Sequence, residues 1–484
     1  MAGENTPLLN TTVKFAKPPD NQENISQRLR STMAKASFRL NSLIEEHTGS
    51  IGMLGSLAIA VNSLTGPAML SLPATFTRSG IIPTCAALLF VGLLSSLCST
   101  HLANTISKVE GNADFKKEVE YSDAFQIFWG RRWFVITQVL FFFCITCLNI
   151  SSIVDTSQVV DTFMAHWMYG GAAALLITSQ GPEWLRWNYD LCSEVELASG
   201  DCIPFDDQDG ILFTAGNLGV TMVFLPMALV DLKENALWQI IGFLVLVITS
   251  IQFVIQFSLW PELSLDNTSL WGYDWDDLFG VVLFNFALTI AIPAWLYERE
   301  PHVDVPTVIY GSTLLSTAMY IALGLLGSLT MPNVSENMLQ SMMTGTMGMA
   351  MELGASIFAF AIIGLGTPLF SVLTRLNLMG SHTCSRRTAN LLSVYLPFAA
   401  AWFLNDGTAI TKLLSWGGII FTSLIVFIFP LLLAIHEKQT TAAPGSIDVY
   451  CGFIQGHRAE LISLWILLFL SISSVSLAIW GNIF

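Results

Sequence analysis

After a polar opening of 48 residues, the chain alternates between long apolar runs and shorter polar connections almost to its end. The apolar runs cover 51–77, 81–106, 133–163, 211–231, 236–259, 278–298, 306–330, 346–376, 388–404, 408–435 and 460–482. A helix needs about 20 apolar residues to cross a bilayer, so the pattern predicts eleven transmembrane helices and an all-α polytopic membrane protein. The third and eighth runs are long enough to cross at a strong tilt, and the ninth is short. Residues 1–48 are rich in Asn, Ser, Thr, Gln and basic residues. They lack the apolar material to form a core and predict a disordered tail without a cleavable signal, leaving residues 49–484 as the membrane domain.

Two of the eleven runs are interrupted. The first, from Gly49 to Gly80, carries Gly66-Pro67 in its middle with Asn62, Ser63 and Thr65 just before it. Pro67 has no N–H, so the Ser63 carbonyl loses its helical donor, and Gly66, preceding a proline, is biased away from the α region. The sixth run carries Pro293, which frees the Thr289 carbonyl in the same way. Asn285 and Thr289 lie one helical turn apart and are expected on one face. A proline kink patched by neighbouring helices explains each run alone. If the first ten runs divide as five plus five, however, the first and sixth are equivalent, and paired interruptions in two halves point to a binding site at mid-membrane.

Charge orients the chain. Only 12% of residues are charged, against ~25% in an ordinary soluble domain. With the N-terminus in the cytosol, 18 of the 21 basic residues fall on the cytosolic side, and only Arg78, Arg186 and Lys412 fall outside. The outer loop 164–210 then holds Cys192 and Cys202, whose spacing allows a disulfide outside the cytosol. Cys85, Cys98, Cys144 and Cys147 lie in apolar runs and read as packed small side chains. The sequons at Asn267 and Asn333 fall in outer loops and predict glycans, whereas those at Asn10, Asn24 and Asn149 fall in the tail or a span and predict none. In the tail, Glu4 precedes the pair Leu8-Leu9 and resembles an acidic dileucine signal read by sorting adaptors. That pattern points to a vacuolar or lysosomal membrane, with the plasma membrane as the other destination.

Two segments carry a family resemblance. Gly66-Pro67-Ala68-Met69-Leu70-Ser71-Leu72-Pro73 resembles the G-[ST]-G-x-L-x-L-P segment in the first span of the amino acid/auxin permease family, part of the amino acid–polyamine–organocation superfamily. Trp295-Leu296-Tyr297-Glu298 resembles the I-Y-x-E ending of that family's sixth span. Ala68 stands in place of the second glycine, and Pro67 removes one backbone donor. The resemblance, over residues 49 to 484, implies a fold like the bacterial leucine transporter: a 5+5 inverted repeat with broken first and sixth helices, plus an eleventh helix. It also implies amino acid transport driven by Na⁺ or H⁺.

The residue chemistry fits such cargo. An amino acid is a zwitterion, and a half-helix starting at Pro67 directs its positive end at the break. The N–H groups of Ala68 and Met69 can meet a carboxylate, and carbonyls freed near Asn62, Ser63 and Thr289 can accept from an ammonium or bind a cation, with Thr65 beside them. The substrate is therefore expected between Gly66–Met69 and Asn285–Thr289. In the eighth run Thr367 and Ser371 share a face. By the resemblance they join Asn62 and Thr65 as candidate Na⁺ ligands, and helix packing is the other reading of such hydroxyls. The intramembrane acids Asp155 and Glu352 are the alternatives for H⁺, whereas Asp161, near the outer interface, reads as a side chain that reaches water. His47 and His101 read as interfacial.

Several classes are excluded or disfavoured. The spans hold no H-E-x-x-H and no paired mid-depth acids, so an enzyme is not expected. No cofactor is expected and no nucleic acid partner; the partners are the bilayer and a small amino acid. A channel fits broken helices poorly. A sensor that binds an amino acid and signals through the tail is the alternative to a transporter.

Overall fold

In the computed structural model the described residues are 50–483, apart from 169–170, 179–180, 189–203, 206–210, 332–333, 335–336, 344–346, 381–382, 404–416, 441–446, 451 and 455. The tail with Glu4–Leu9, Cys192, Cys202 and Asn333 lies outside them.

The first run folds as α1 (Met53–Leu64), a 3₁₀ turn (Pro67–Ser71) and α2 (Leu72–Ser79), bent by 58° at the break. Next come α3 (Ile81–Ser107), the short α4 (Tyr121–Trp129) and the long α5 (Arg131–Trp167). A small sheet follows, of β1 (Ala172–Thr178), β2 (Gly181–Trp187) and β3 (Ile211–Thr214). β3 leads straight into α6 (Ala215–Ala228), and α7 (Leu232–Ser258) completes the first half. The sixth run is α8 (Leu278–Asn285), a 3₁₀ turn (Leu288–Ile290) and α9 (Ile292–Glu298), followed by α10 (Val305–Thr330) and the short α11 (Met338–Met343). The eighth run is α12 (Met349–Phe358) and α13 (Gly364–Met379), joined by a π-bulge over Ala359–Ile363. α14 (Arg386–Asn390), α15 (Leu396–Phe403), α16 (Phe429–Thr440) and α17 (His457–Ile483) follow.

Each of the eleven apolar runs holds helix, and the chain is a largely helical, polytopic membrane protein. Eight of the described helices are long and apolar enough to cross a membrane, and the bent first run makes a ninth. The other two runs hold shorter pieces, so length and composition support nine crossings where the hydropathy pattern predicts eleven. The fourth run is short because its first residues, 211–214, are spent as β3. One small sheet accompanies the helices. Its order is β2-β1-β3, with both pairings antiparallel. Alternating residues of β1, among them Ala172, Ala174 and Leu176, are buried with Trp187, Phe205 and Leu212 in a satellite core of their own.

The first and sixth spans are stitched together at both ends by backbone hydrogen bonds. At the start, the Ser50 and Ile51 amides donate to the Glu298 carbonyl at 2.8 and 2.9 Å, and the Glu300 amide donates to the Ile51 carbonyl at 3.0 Å. At the far end, the Gly272 amide donates to the Ser79 carbonyl at 3.0 Å, and the Ile81 amide to that of Ser269 at 3.1 Å. This second stitch requires glycine. Gly80 has φ +90°, and a Cβ on it would meet the Gly272 nitrogen at 2.3 Å. The two interrupted spans are therefore held together near both ends.

Candidate functional site: two broken helices on one hydroxyl

The first break is a two-residue gap. α1 closes where the Thr65 amide donates to the Val61 carbonyl at 2.9 Å, and Pro67 opens the next turn, where no N–H is needed. Gly66 between them is extended, at φ −119° and ψ −175°. A Cβ on it would find no atom within 4 Å. Gly66, Ala68 and Ser71 are part-exposed, whereas Asn62, Ser63, Leu64, Thr65, Pro67 and Met69 are buried. The break therefore opens onto free space along one edge of the 3₁₀ turn. The Met69 amide donates to the Gly66 carbonyl at 3.1 Å, so that N–H is engaged within the turn, and Ala68 is the partly exposed residue beside it.

The second break differs from the sequence expectation. The helix ends at Asn285, eight residues before Pro293, because Phe286 leaves the α region at φ −108° and ψ 43°. Asn285 and Thr289 therefore do not share a helical face: one ends α8 and the other lies in the 3₁₀ turn. Pro293 serves as an opening residue of α9. The groups of this break are satisfied by other spans. The Ser95 hydroxyl donates to the Phe286 carbonyl at 2.7 Å. The Thr289 hydroxyl donates to the Val426 carbonyl at 3.2 Å and lies 3.0 Å from the Ser99 hydroxyl.

One side chain joins the two breaks. The Tyr320 hydroxyl on α10 lies 2.6 Å from the Leu64 carbonyl and 3.2 Å from the Asn285 carbonyl. Those are the last carbonyls of α1 and α8, which lack intrahelical donors. Tyr320 is fully buried, with its ring edge-on to Phe286 at 5.5 Å between centroids. On the other side of α1, the Asn62 amide donates to the backbone and side-chain carbonyls of Gln239, both at 2.8 Å. Gln239 passes its own donors to Asn235 at 3.0 Å and to the Leu365 carbonyl at 3.1 Å. This network ties the first span to α7 and α13.

The four candidate cation ligands have diverging partners. The Thr65 hydroxyl donates to the Val61 carbonyl at 2.9 Å, and the Ser371 hydroxyl accepts from the Asn149 amide at 2.9 Å. The Asn62 Oδ1 and the Thr367 Oγ1 are buried without a hydrogen-bond partner in the protein. The Asn149 and Asn285 Oδ1 atoms share that condition, and such atoms carry a desolvation cost unless a ligand or ion meets them. Pro368 leaves the Gly364 carbonyl without its usual donor in the same region.

The intramembrane acids are engaged. Asp161 accepts from the Gly216 amide at 2.7 Å, at the N-terminus of α6, where a carboxylate favours the helix dipole. Asp155 accepts from the Ser151 hydroxyl at 2.9 Å, and Glu352 lies 3.2 Å from His166. His101 is buried rather than interfacial, with its Nε2 2.9 Å from the Tyr450 hydroxyl. At the Asn267 sequon the side-chain amide donates to the Leu329 carbonyl at 2.7 Å and to that of Glu262 at 3.1 Å. A glycan there displaces one of those two bonds. Sequence reading missed Tyr320, Gln239 and the partnering role of Asn149. For the two amides the signal was present, since intramembrane amides seldom stay unpartnered; for a lone tyrosine there was none.

No curated protein matches the chain. Residues 49–179, which include the first break, match the family described as transmembrane amino acid transporter protein. That family supports amino acid transport as the activity and an amino acid as the small-molecule partner. The chain is a multi-pass membrane protein whose segment 49–179 is similar to the transmembrane amino acid transporter family.

Proposed function

We propose that the protein is a secondary active transporter that carries an amino acid across the membrane by alternating access, coupled to Na⁺ or H⁺. The observation that carries this reading is the open space at Gly66, in the middle of a broken span and beside the second break. The zwitterion lies between Gly66–Met69 and Asn285–Thr289, held mainly by backbone groups. Its carboxylate faces the positive end of the Pro67 half-helix. The unpartnered Asn62 Oδ1 and Thr367 Oγ1 favour a cation near the first and eighth spans, with Thr65 and Ser371 in supporting positions. Asp155 or Glu352 is the coupling group if the ion is H⁺.

Uptake of a radiolabelled amino acid panel into proteoliposomes, under imposed Na⁺ or H⁺ gradients, tests the reading. Saturable uptake that follows one gradient is expected. Binding without uptake marks a sensor instead and overturns the transporter reading. The cytosolic tail, the outer glycans at Asn267 and Asn333, the Cys192–Cys202 disulfide and the vacuolar or lysosomal destination signalled by Glu4–Leu9 complete the proposal. A band shift on peptide-N-glycosidase treatment, lost in the Asn267→Gln/Asn333→Gln variant, reads the outer assignment of both loops.

A further inference from the structure

We infer that Tyr320 is a positioning residue: its hydroxyl holds the two breaks in register and so sets the place at which the backbone meets the substrate. The carbonyls of Leu64 and Asn285 end α1 and α8, and both point at one oxygen, from 2.6 and 3.2 Å. Two helix C-termini that converge bring two partial negative charges together, and the free carbonyls at each end need a donor. In this buried site the Tyr320 side chain is that donor. A phenol suits the position because its single proton lies between two acceptors and is shared with both, while its ring fills the apolar space against Phe286.

The hydroxyl meets the expected substrate site only at its edge, at the Asn285 carbonyl. It acts through the backbone: Leu64 is two residues before Gly66, and Asn285 closes the helix that faces it. Tyr320 also sits on α10, an element that belongs to neither broken span. The distance between the breaks is thus set by a third helix. Among the described residues the backbone stitches lie at the ends of the two spans, at Ile51–Glu298 and Ser79–Gly272, and the pin acts between them.

Tyr320→Phe removes the hydroxyl and keeps the ring. Two measurements on the full chain test the role. The first is the electron–electron resonance distance distribution between spin labels at Met53 and Leu314, exposed positions on α1 and α10, in the substrate-free protein. Broadening in the variant is expected, and an unchanged distribution overturns the inference. The second is uptake kinetics normalised to folded protein. KM is expected to rise about fivefold, the scale of one neutral hydrogen bond, with Vmax changing less than twofold. A lower Vmax at unchanged KM marks a purely structural role and also overturns it. This kinetic arm rests on the transporter reading. If the wild type takes up no amino acid, that reading fails and the distance measurement alone decides the pin.

Discussion

Asn62 and Gln239 lie 177 positions apart and are joined twice, the Asn62 amide donating to the Gln239 backbone carbonyl and side-chain oxygen at 2.8 Å each. Through the same side chain α1 reaches the Leu365 carbonyl of α13. The polar interior therefore works as a set of bridges between spans, with the broken first span at its centre.

Replacing that bridge is costly. Gln239→Leu leaves the Asn235 oxygen and the Leu365 carbonyl without the Gln239 donor, and the Asn62 amide keeps only the Gln239 backbone carbonyl. Each buried orphan costs about 1–3 kcal/mol, so a destabilisation of roughly 3 kcal/mol is expected. Thermal unfolding of the purified variant in detergent should show a lower melting temperature, and Gln239→Leu melting with the wild type would show that the bridge adds nothing.

Gly66→Val separates space from strain. At φ −119° and ψ −175° the backbone is ordinary extended chain that a β-branched residue adopts readily. The variant is expected to fold and express near normally. Its side chain fills the open space at the break, and uptake should fall at least tenfold. Normal uptake would remove the site from this break.

Thr367→Val keeps shape and deletes an unpartnered buried hydroxyl. Stability should hold or rise by up to about 1 kcal/mol, because an unsatisfied group is removed. If the hydroxyl meets a cation, the Na⁺ concentration for half-maximal uptake rises severalfold. A stabilised protein with unaltered ion dependence would turn attention to Asp155 or Glu352.

Glu120, at the start of α4 and outside the spans, gives a pH signature. Burial, with the charges of Glu118 and Asp123 adding to it, holds its carboxyl well above the usual carboxylate range. A carboxyl with a raised folded pKa binds its proton more tightly folded than unfolded. Its contribution to stability is therefore present at low pH and is lost as pH rises through the range between the unfolded and folded values. Glu120→Gln should melt higher than the wild type at neutral pH, and the gap should narrow on acidification. Melting curves for both proteins across pH check this, and a gap independent of pH would contradict it.

The alternation of apolar and polar stretches by itself determined the membrane class and the position of each helical run, because crossing a bilayer demands long apolar helices. Gly66-Pro67 likewise located the first break, since a missing N–H acts locally and is legible in one dimension. Pro293 misled for a physical reason: proline is equally at home as the opening residue of a helix, and the second break was set upstream, where Ser95, Ser99 and Val426 supply partners for an unwound backbone. The strand that shortens the fourth run depends on pairing with β1, some 35 residues earlier. Tyr320 and Gln239 became visible only in three dimensions, because a hydrogen bond between spans has no period along the chain. Local chemistry thus set where the first span breaks, and tertiary packing decided which side chains hold the two breaks together.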